Sequence, residues 1–228
     1  MGEMSDTPQQ PLDRRVRRSR RELQRALVEL TLEKGYDSVT VDDIANRADV
    51  ARGTFYAHYV DKDALLHAVV TDLIDELVIV VEDAGGNIGP PVTEGQKIVA
   101  MFRHGELRRD IYRVVLSGAG SGLGLRLLSD AITEKAEEYF TAACRGADLQ
   151  PLVDPVIVAR SFTGQHLTML RWWLDNPGRY SIEEIAYACL CITVGGHFGT
   201  LGFSPGSVAV PNRQEFERLH APQVEATG

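Results

Sequence analysis

Apolar residues recur along most of this 228-residue chain at helical spacing. Leu23, Ala26, Leu27 and Leu30 stand at i, i+3, i+4 and i+7, which places them on one face of a first helix. Ser19 and Glu22 have capping-box spacing, which puts its start near residue 19 unless it begins earlier, inside the arginine run, and Gly35 is its stop. Thr40, followed by Asp42 and Asp43, opens a short second helix whose inner side is Val41, Ile44, Ala45 and Ala48. A tight turn at Asp49 and Val50 leads to a third short helix over residues 52–58. Asp61 then caps a long fourth one, striped by Leu65, Leu66, Val69, Val70, Leu73, Ile74 and Leu77. A loop rich in Gly and Pro covers residues 85–95. Beyond it, helical patterns gather around Val99 and Phe102, around Ile111, Val114 and Val115, over 127–144 and over 156–174. The break at Asn176, Pro177 and Gly178 precedes a last helix over 181–197, opened by a Ser181–Glu184 capping box. No sustained alternating run appears, so the pattern predicts an all-α protein of about nine helices.

Composition changes this picture in one respect. The hydrophobic share is 44%, enough for a core, and the net charge is −8, which by itself speaks against a polyanionic partner. The distribution reverses that. Residues 14–25 carry seven arginines against one acid, Glu22, whereas residues 64–228 hold 13 basic and 20 acidic side chains. Positive charge is therefore concentrated near one end. The three cysteines, Cys144, Cys189 and Cys191, form no disulfide framework, and no His/Cys set has metal-ligand spacing. The N-terminus is polar, with no leader-like apolar stretch, and the most apolar run, 73–81, is interrupted by Asp75 and Glu76. These features predict a cytoplasmic protein with no membrane span and no cofactor. The Gly-rich stretch 118–124 resembles a phosphate loop only at a glance. It follows a helical pattern instead of a strand and lacks the lysine of a P-loop, so it reads as a helix connector.

Two short helices across a tight turn, braced by a helix on each side, make a helix-turn-helix arrangement. Residues 40–66 read TVDDIANRADVARGTFYAHYVDKDALL, and the portion from Gly53 through Thr54, Phe55, Tyr56, His58 and Tyr59 to Lys62, followed by Leu65 and Leu66, closely resembles the N-terminal signature of the TetR family of transcriptional regulators. The resemblance is strong over about residues 17–70. It implies a flexible arm at 1–13, a DNA-binding head at 14–62, a ligand-binding and dimerisation body at 63–203, and a loose tail at 204–228. It also implies a regulator, most often a repressor, that binds palindromic double-stranded DNA as a homodimer and answers to a small-molecule effector.

The third helix would enter the major groove, with Arg52 reaching guanine, Thr54 touching a base or thymine methyl, and Gly53 beside them. Tyr56, His58 and Tyr59 are expected nearer phosphates or packed against the head. By motif, Tyr56 and Lys62 contact the DNA backbone. Thr40 caps a helix whose N-terminal amides suit a phosphate, and Arg17 and Arg18 precede the first helix, close to the duplex. Two residues depart from the family pattern. Asp49 replaces the usual turn glycine, and Ala51 stands where a Ser or Thr caps the recognition helix. In the body, Phe102, Tyr112, His166, Met169 and Trp172 are expected as effector-pocket walls. Phe162, Leu170, Trp173, Ala188, Ile192 and Gly196 are expected at the dimer interface.

Overall fold

A computed structural model of the chain describes residues 9–85, 92–146, 148 and 150–200, with side chains over 14–84, 95–146, 148 and 150–196. The described residues form helices and turns alone: α1 (Gln9–Lys34), a single 3-10 turn (Tyr36–Ser38), α2 (Val41–Arg47), α3 (Arg52–His58), α4 (Lys62–Gly85), α5 (Val92–Leu107), α6 (Arg109–Leu116), α7 (Leu123–Gly146), α8 (Pro155–Asp175) and α9 (Ile182–Thr200). The fold is all-α, as the periodicity predicts. The expected tail at 204–228 and residues 1–8 of the expected arm lie outside the described residues. Contacts gather the chain into two units, Met1–Cys189 and Leu190–Gly228. The expected head–body boundary at residue 62 falls inside the first. The second is described over residues 190–200, where Gly196 (φ 66°, ψ 170°) departs from helical geometry.

The first helix departs from expectation. It begins at Gln9, not near Ser19, so Arg17 and Arg18 lie within it and Ser19 is a mid-helix residue with no capping role. Two facts explain this. Pro11 falls in the first turn, where its missing N–H removes no helical bond, and the arginines that follow are good helix formers with no Gly between Gln9 and Gly35. The buried side is as the pattern predicts: Leu23, Ala26, Leu27 and Leu30 are buried, as are Ile44, Ala45, Phe55 and Leu65 on α2, α3 and α4, which α1 contacts. Asp61 caps α4 by accepting from the Ala64 amide at 2.7 Å. Asp49 takes the left-handed conformation (φ 52°) that the family's glycine would supply.

Head and body meet at Tyr36, which is buried. Lys62 Nζ donates to the carbonyls of Tyr36 (2.8 Å) and Val39 (2.9 Å) and lies 4.3 Å from the Tyr36 ring centroid. The Tyr36 hydroxyl donates to Asp63, and burial pushes the phenol well above its usual range. From the body side, the connector between α6 and α7 closes on the same residue. Gly120 has φ 62°, and a Cβ there would stand 2.7 Å from Leu66 Cδ2 and 3.4 Å from the Tyr36 ring. The Gly-rich stretch is thus a close-approach turn, as its setting between helices implies.

Within the body a polar network ties α4, α5 and α6 together. Arg108 donates to Glu76 from Nε (2.6 Å) and Nη2 (3.0 Å). His104 lies with Nε2 3.5 Å from the same carboxylate and Nδ1 2.9 Å from the Tyr112 hydroxyl. Burial holds the His104 imidazole below its ordinary pKa, against the pull of Glu76. Gly105 lets α5 approach α8 closely, since a Cβ there would sit 2.6 Å from Leu170 Cδ1.

Two substitutions test the seam. Gly120→Ala forces a positive φ on an L-residue and drives a methyl at Leu66, which is fully buried and has no room to yield. Chemical denaturation should show a loss of about 1–3 kcal/mol. Lys62→Met keeps the aliphatic stem and removes both charged hydrogen bonds to carbonyls, and should cost about 1–3 kcal/mol in the same assay. Wild-type stability in both variants would show that the seam contributes nothing.

Candidate nucleic-acid interface

The third helix is seven residues long and is held to the head by Phe55, which is wholly buried. Its N-cap, Ala51, supplies no side-chain bond. The amides of Thr54 (2.8 Å) and Phe55 (3.4 Å) both turn back to the Ala51 carbonyl. The opposite face looks outward. Arg52, Gly53 and Tyr56 are exposed, and Thr54 and His58 are half-buried beside them. Arg52 is placed by three contacts. Its Nη1 donates to Asp42 on α2 at 2.9 Å, its Nη2 donates to the Tyr56 hydroxyl at 3.4 Å, and its guanidinium carbon lies 5.6 Å from the Tyr56 ring centroid. A Cβ on Gly53 would meet no atom within 4 Å, so internal packing does not call for a glycine there.

Three expected DNA contacts are engaged elsewhere. Tyr59 is buried, packs on Phe55 at 6.0 Å, and accepts from Arg20 Nε at 3.3 Å, so it belongs to the core of the head. Lys62 is the internal brace described above, not an outward cation. Thr40 does cap α2, but with its own carboxylate. The Thr40 amide (2.8 Å) and hydroxyl (2.6 Å) both donate to Asp43, and the hydroxyl accepts from the Asp43 amide (3.1 Å). Lys34 Nζ donates to Asp43 at 2.8 Å, and these partners, Lys34 first, hold the Asp43 carboxyl well below the usual carboxylate range. A phosphate approaching this helix start would meet Asp42 and Asp43, which closes it to the contact expected at Thr40. Arg17 and Arg18 are exposed on α1. The spacing of Thr40 and Asp43 is that of a capping box, the signal by which the sequence could have placed this carboxylate on the cap.

The body holds a cavity of about 430 Å³ between α4, α5, α7 and α8. Ile74, Leu77, Val81, Ile98, Met101, Ala131, Tyr139, Phe140, Phe162 and His166 line it, with Lys97, Lys135, Glu82 and Glu138 also contributing. Of the five expected walls only His166 takes part. Phe102 is fully buried, edge-on to Trp173 (5.5 Å), and Tyr112 is fully buried against His104. Met169 is half-buried outside the cavity lining, and Trp172 packs on Tyr180 (5.9 Å) with Arg179 above it. His166 Nδ1 lies 2.8 Å from the Phe162 carbonyl, which can only accept, so the proton sits on Nδ1. The residues expected at the dimer interface differ in exposure within the chain. Phe162 lines the cavity, while Leu170 and Trp173 are buried within the chain, where Trp173 Nε1 donates to the Tyr180 carbonyl at 2.8 Å. Ala188 and Ile192 are half-buried and Gly196 is exposed. Among the exposed residues of α8, Ile157, Ser161, Gly164 and Thr168 form one stripe at i, i+4, i+7 and i+11.

Among the described residues no group of three or more His, Cys, Asp or Glu side chains is arranged to hold a metal, and no helix is long and apolar enough to cross a membrane. Cys144, Cys189 and Cys191 form no disulfide, and burial pushes the Cys189 thiol up to about 11.

Comparison with known proteins agrees with this geometry. Residues 24–69 match the family model described as bacterial regulatory proteins, tetR family. An uncharacterized HTH-type transcriptional regulator of Bacillus subtilis, YxbF, is 38% identical over 73 residues, which are 30% of this chain and 19% of that protein. The A-factor receptor protein of Streptomyces griseus is 26% identical over 164 residues, covering 67% of this chain and 58% of the receptor. The chain therefore spans less than two thirds of the length of these relatives. A crystal structure of a TetR-family regulator from Syntrophomonas wolfei superposes with a TM-score of 0.70 at 17% identity, over 86% of this chain and 99% of that one, and shows the shared fold. Residues 24–69 therefore match the N-terminal segment of the bacterial tetR-family regulatory proteins, and the signature at residues 40–66 is folded here as a helix-turn-helix in an all-helical chain.

Proposed function

We propose that this protein is a sequence-specific DNA-binding transcriptional repressor, which holds an inverted-repeat operator as a twofold homodimer and is released by a small, largely apolar effector. The observation that carries this reading is the outer face of α3, with Arg52, Gly53 and Tyr56 exposed above a wholly buried Phe55. The Arg52 fork matches guanine O6 and N7, the Thr54 methyl suits a thymine methyl, and the Tyr56 and His58 tips reach phosphate or sugar. The open space around Gly53 lets the backbone approach the duplex.

Seven residues give one helix few base contacts, so specificity calls for a second copy one DNA turn away. The outward stripe of α8, with Gly164 permitting close helix approach, supports pairing with a second copy through that face. The cavity supports an effector of drug-like size whose binding is dominated by apolar contact. The Streptomyces griseus relative is by name a receptor, which fits a sensing body behind a reading head. DNA as target places the protein in the cytoplasm.

Selection from random duplexes with the full chain should return an inverted repeat with half-sites about one turn apart. Replacing Arg52 and Tyr56 together by Ala should cut retention of that duplex by at least about 100-fold while light scattering still reports a dimer. Retention at wild-type strength would show that α3 is not the reading element. For the body, Ala131→Trp should fill the cavity and abolish the fluorescence gained by anilinonaphthalene sulfonate on binding the native protein, with operator affinity within about threefold of wild type. Undiminished dye fluorescence would mean that the cavity is not the ligand site.

A further inference from the structure

The helix-turn-helix proper is acidic. Residues 22–62 hold five basic side chains, Arg25, Lys34, Arg47, Arg52 and Lys62, against eight carboxylates. Each of the five is engaged inside the protein. Arg25 meets Glu22 (2.6 Å) and Glu29 (3.5 Å). Arg47 meets Glu29 (3.3 Å) and Glu33 (2.7 Å). Lys34 meets Asp43 and Arg52 meets Asp42, while Lys62 is bound to two carbonyls. Lys62, a backbone contact implied by the family motif, and Thr40, expected to hold a phosphate at its helix start, have their polar groups engaged within the protein. This segment offers a polyanion little net attraction.

The six arginines of residues 14–21 are a different matter. They include no acid, and they lie on α1 before its packed portion begins at Leu23. Arg14, Arg15, Arg18 and Arg21 are exposed and, among the described residues, meet no carboxylate. Arg14, Arg18 and Arg21 follow one another at i, i+4 and i+7, with Arg15 adjacent. On an isolated helix such like-charged neighbours are destabilising, and nothing in the described fold offsets them. Arg20 fixes where the run lies. Its Nε donates to the hydroxyl of Tyr59, the C-cap of α3, and so ties the C-terminal end of the run to the end of α3. From residue 14 to residue 21 the helix advances about 10 Å, or about three steps along one strand of a duplex.

We infer that the leading turns of α1 are the principal phosphate-binding element of this protein, laid along the DNA backbone beside the groove that α3 enters. This rests on the DNA-binding reading above and adds a division of labour. The arginine helix supplies affinity without sequence preference, and α3 supplies preference with little net charge.

The test uses the full chain, the duplex selected by the wild-type protein, and a scrambled duplex of equal length. Affinity for both is measured from 50 to 200 mM salt for wild type, for R14Q/R15Q/R18Q/R21Q, and for the corresponding four-Lys variant, with circular dichroism confirming equal helix content. If all eight arginines of a dimer engage, the Gln variant should flatten the slope of log K on log salt by about 7, at about 0.9 for each released counterion. A flattening of about 3 or more supports the proposal, provided that the ratio of selected to scrambled affinity stays within about threefold and Lys restores the slope. A smaller flattening shows a solvated helix face and overturns it. So does a collapse of the affinity ratio, because the arginines would then be reading bases. Failure of the wild-type protein to retain any duplex refutes the regulator reading itself, a result distinct from either of these.

Discussion

Burial of Tyr36 is the contact on which the rest of the molecule depends. The ring sits on a single turn between α1 and α2, yet it is gripped from both sides: by Lys62 and Asp63 at the start of α4, and by Gly120 from the connector of the body. A lysine that donates to two carbonyls closes the C-terminal end of the Tyr36–Ser38 turn and fixes the first residue of α4 at the same time. The buried phenol must keep its proton, and Asp63 accepts it. The angle at which the head leaves the body is therefore set by a few groups of high directionality, not by a broad apolar surface alone.

That arrangement has an electrostatic consequence. A lysine committed to holding α4 is not available to hold DNA, and Thr40 is similarly committed to Asp43. The head keeps its geometry by internal pairing: Arg47 with Glu33, Lys34 with Asp43 and Arg52 with Asp42. Exposed pairs of this kind add little stability. Their larger effect is to neutralise the surface next to the recognition helix, so that attraction to a polyanion must come from a separate place on the chain.

Periodicity made most helices legible, because a buried stripe at i, i+3, i+4 and i+7 is a consequence of the same packing that the structure shows. Asp61, Asp49 and the Ser181–Glu184 box were legible because each satisfies a local requirement of the backbone. The start of α1 was not, since Ser19 and Glu22 have the spacing of a cap, and only the arginines before them, all strong helix formers, outweigh it. Nor was the division of the body into core, cavity and outer face. Phe102, Tyr112, Leu170 and Trp173 are large and apolar at helical spacing, and that pattern is the same whether the side chain meets its own core, a ligand or a second chain. Which of these holds depends on how α4, α5, α7 and α8 cross, and the crossing is a tertiary fact. Gly105 against Leu170 decides one such crossing, and no spacing rule names that pair.

The position of α4 joins the two halves of the function. Its first turn carries Lys62 and Asp63 in the Tyr36 contact, and its later turns present Ile74, Leu77 and Val81 to the cavity. Twelve residues of continuous helix separate Lys62 from Ile74, about 18 Å of stiff rod. A close-packed body does not deform smoothly, so under the proposed function an occupant of the cavity would act by favouring one discrete seating of that rod over another. It would displace the protein from DNA only to the extent that it bound the two seatings unequally: a shift from 1:99 to 99:1 requires a difference of about 10⁴ in affinity. Glu76 lies on the same helix, in the stretch whose Ile74 and Leu77 face the cavity, and its contacts with Arg108 and His104 tie α4 to α5 and to the start of α6. Movement of α4 must therefore carry those partners with it or break the contacts.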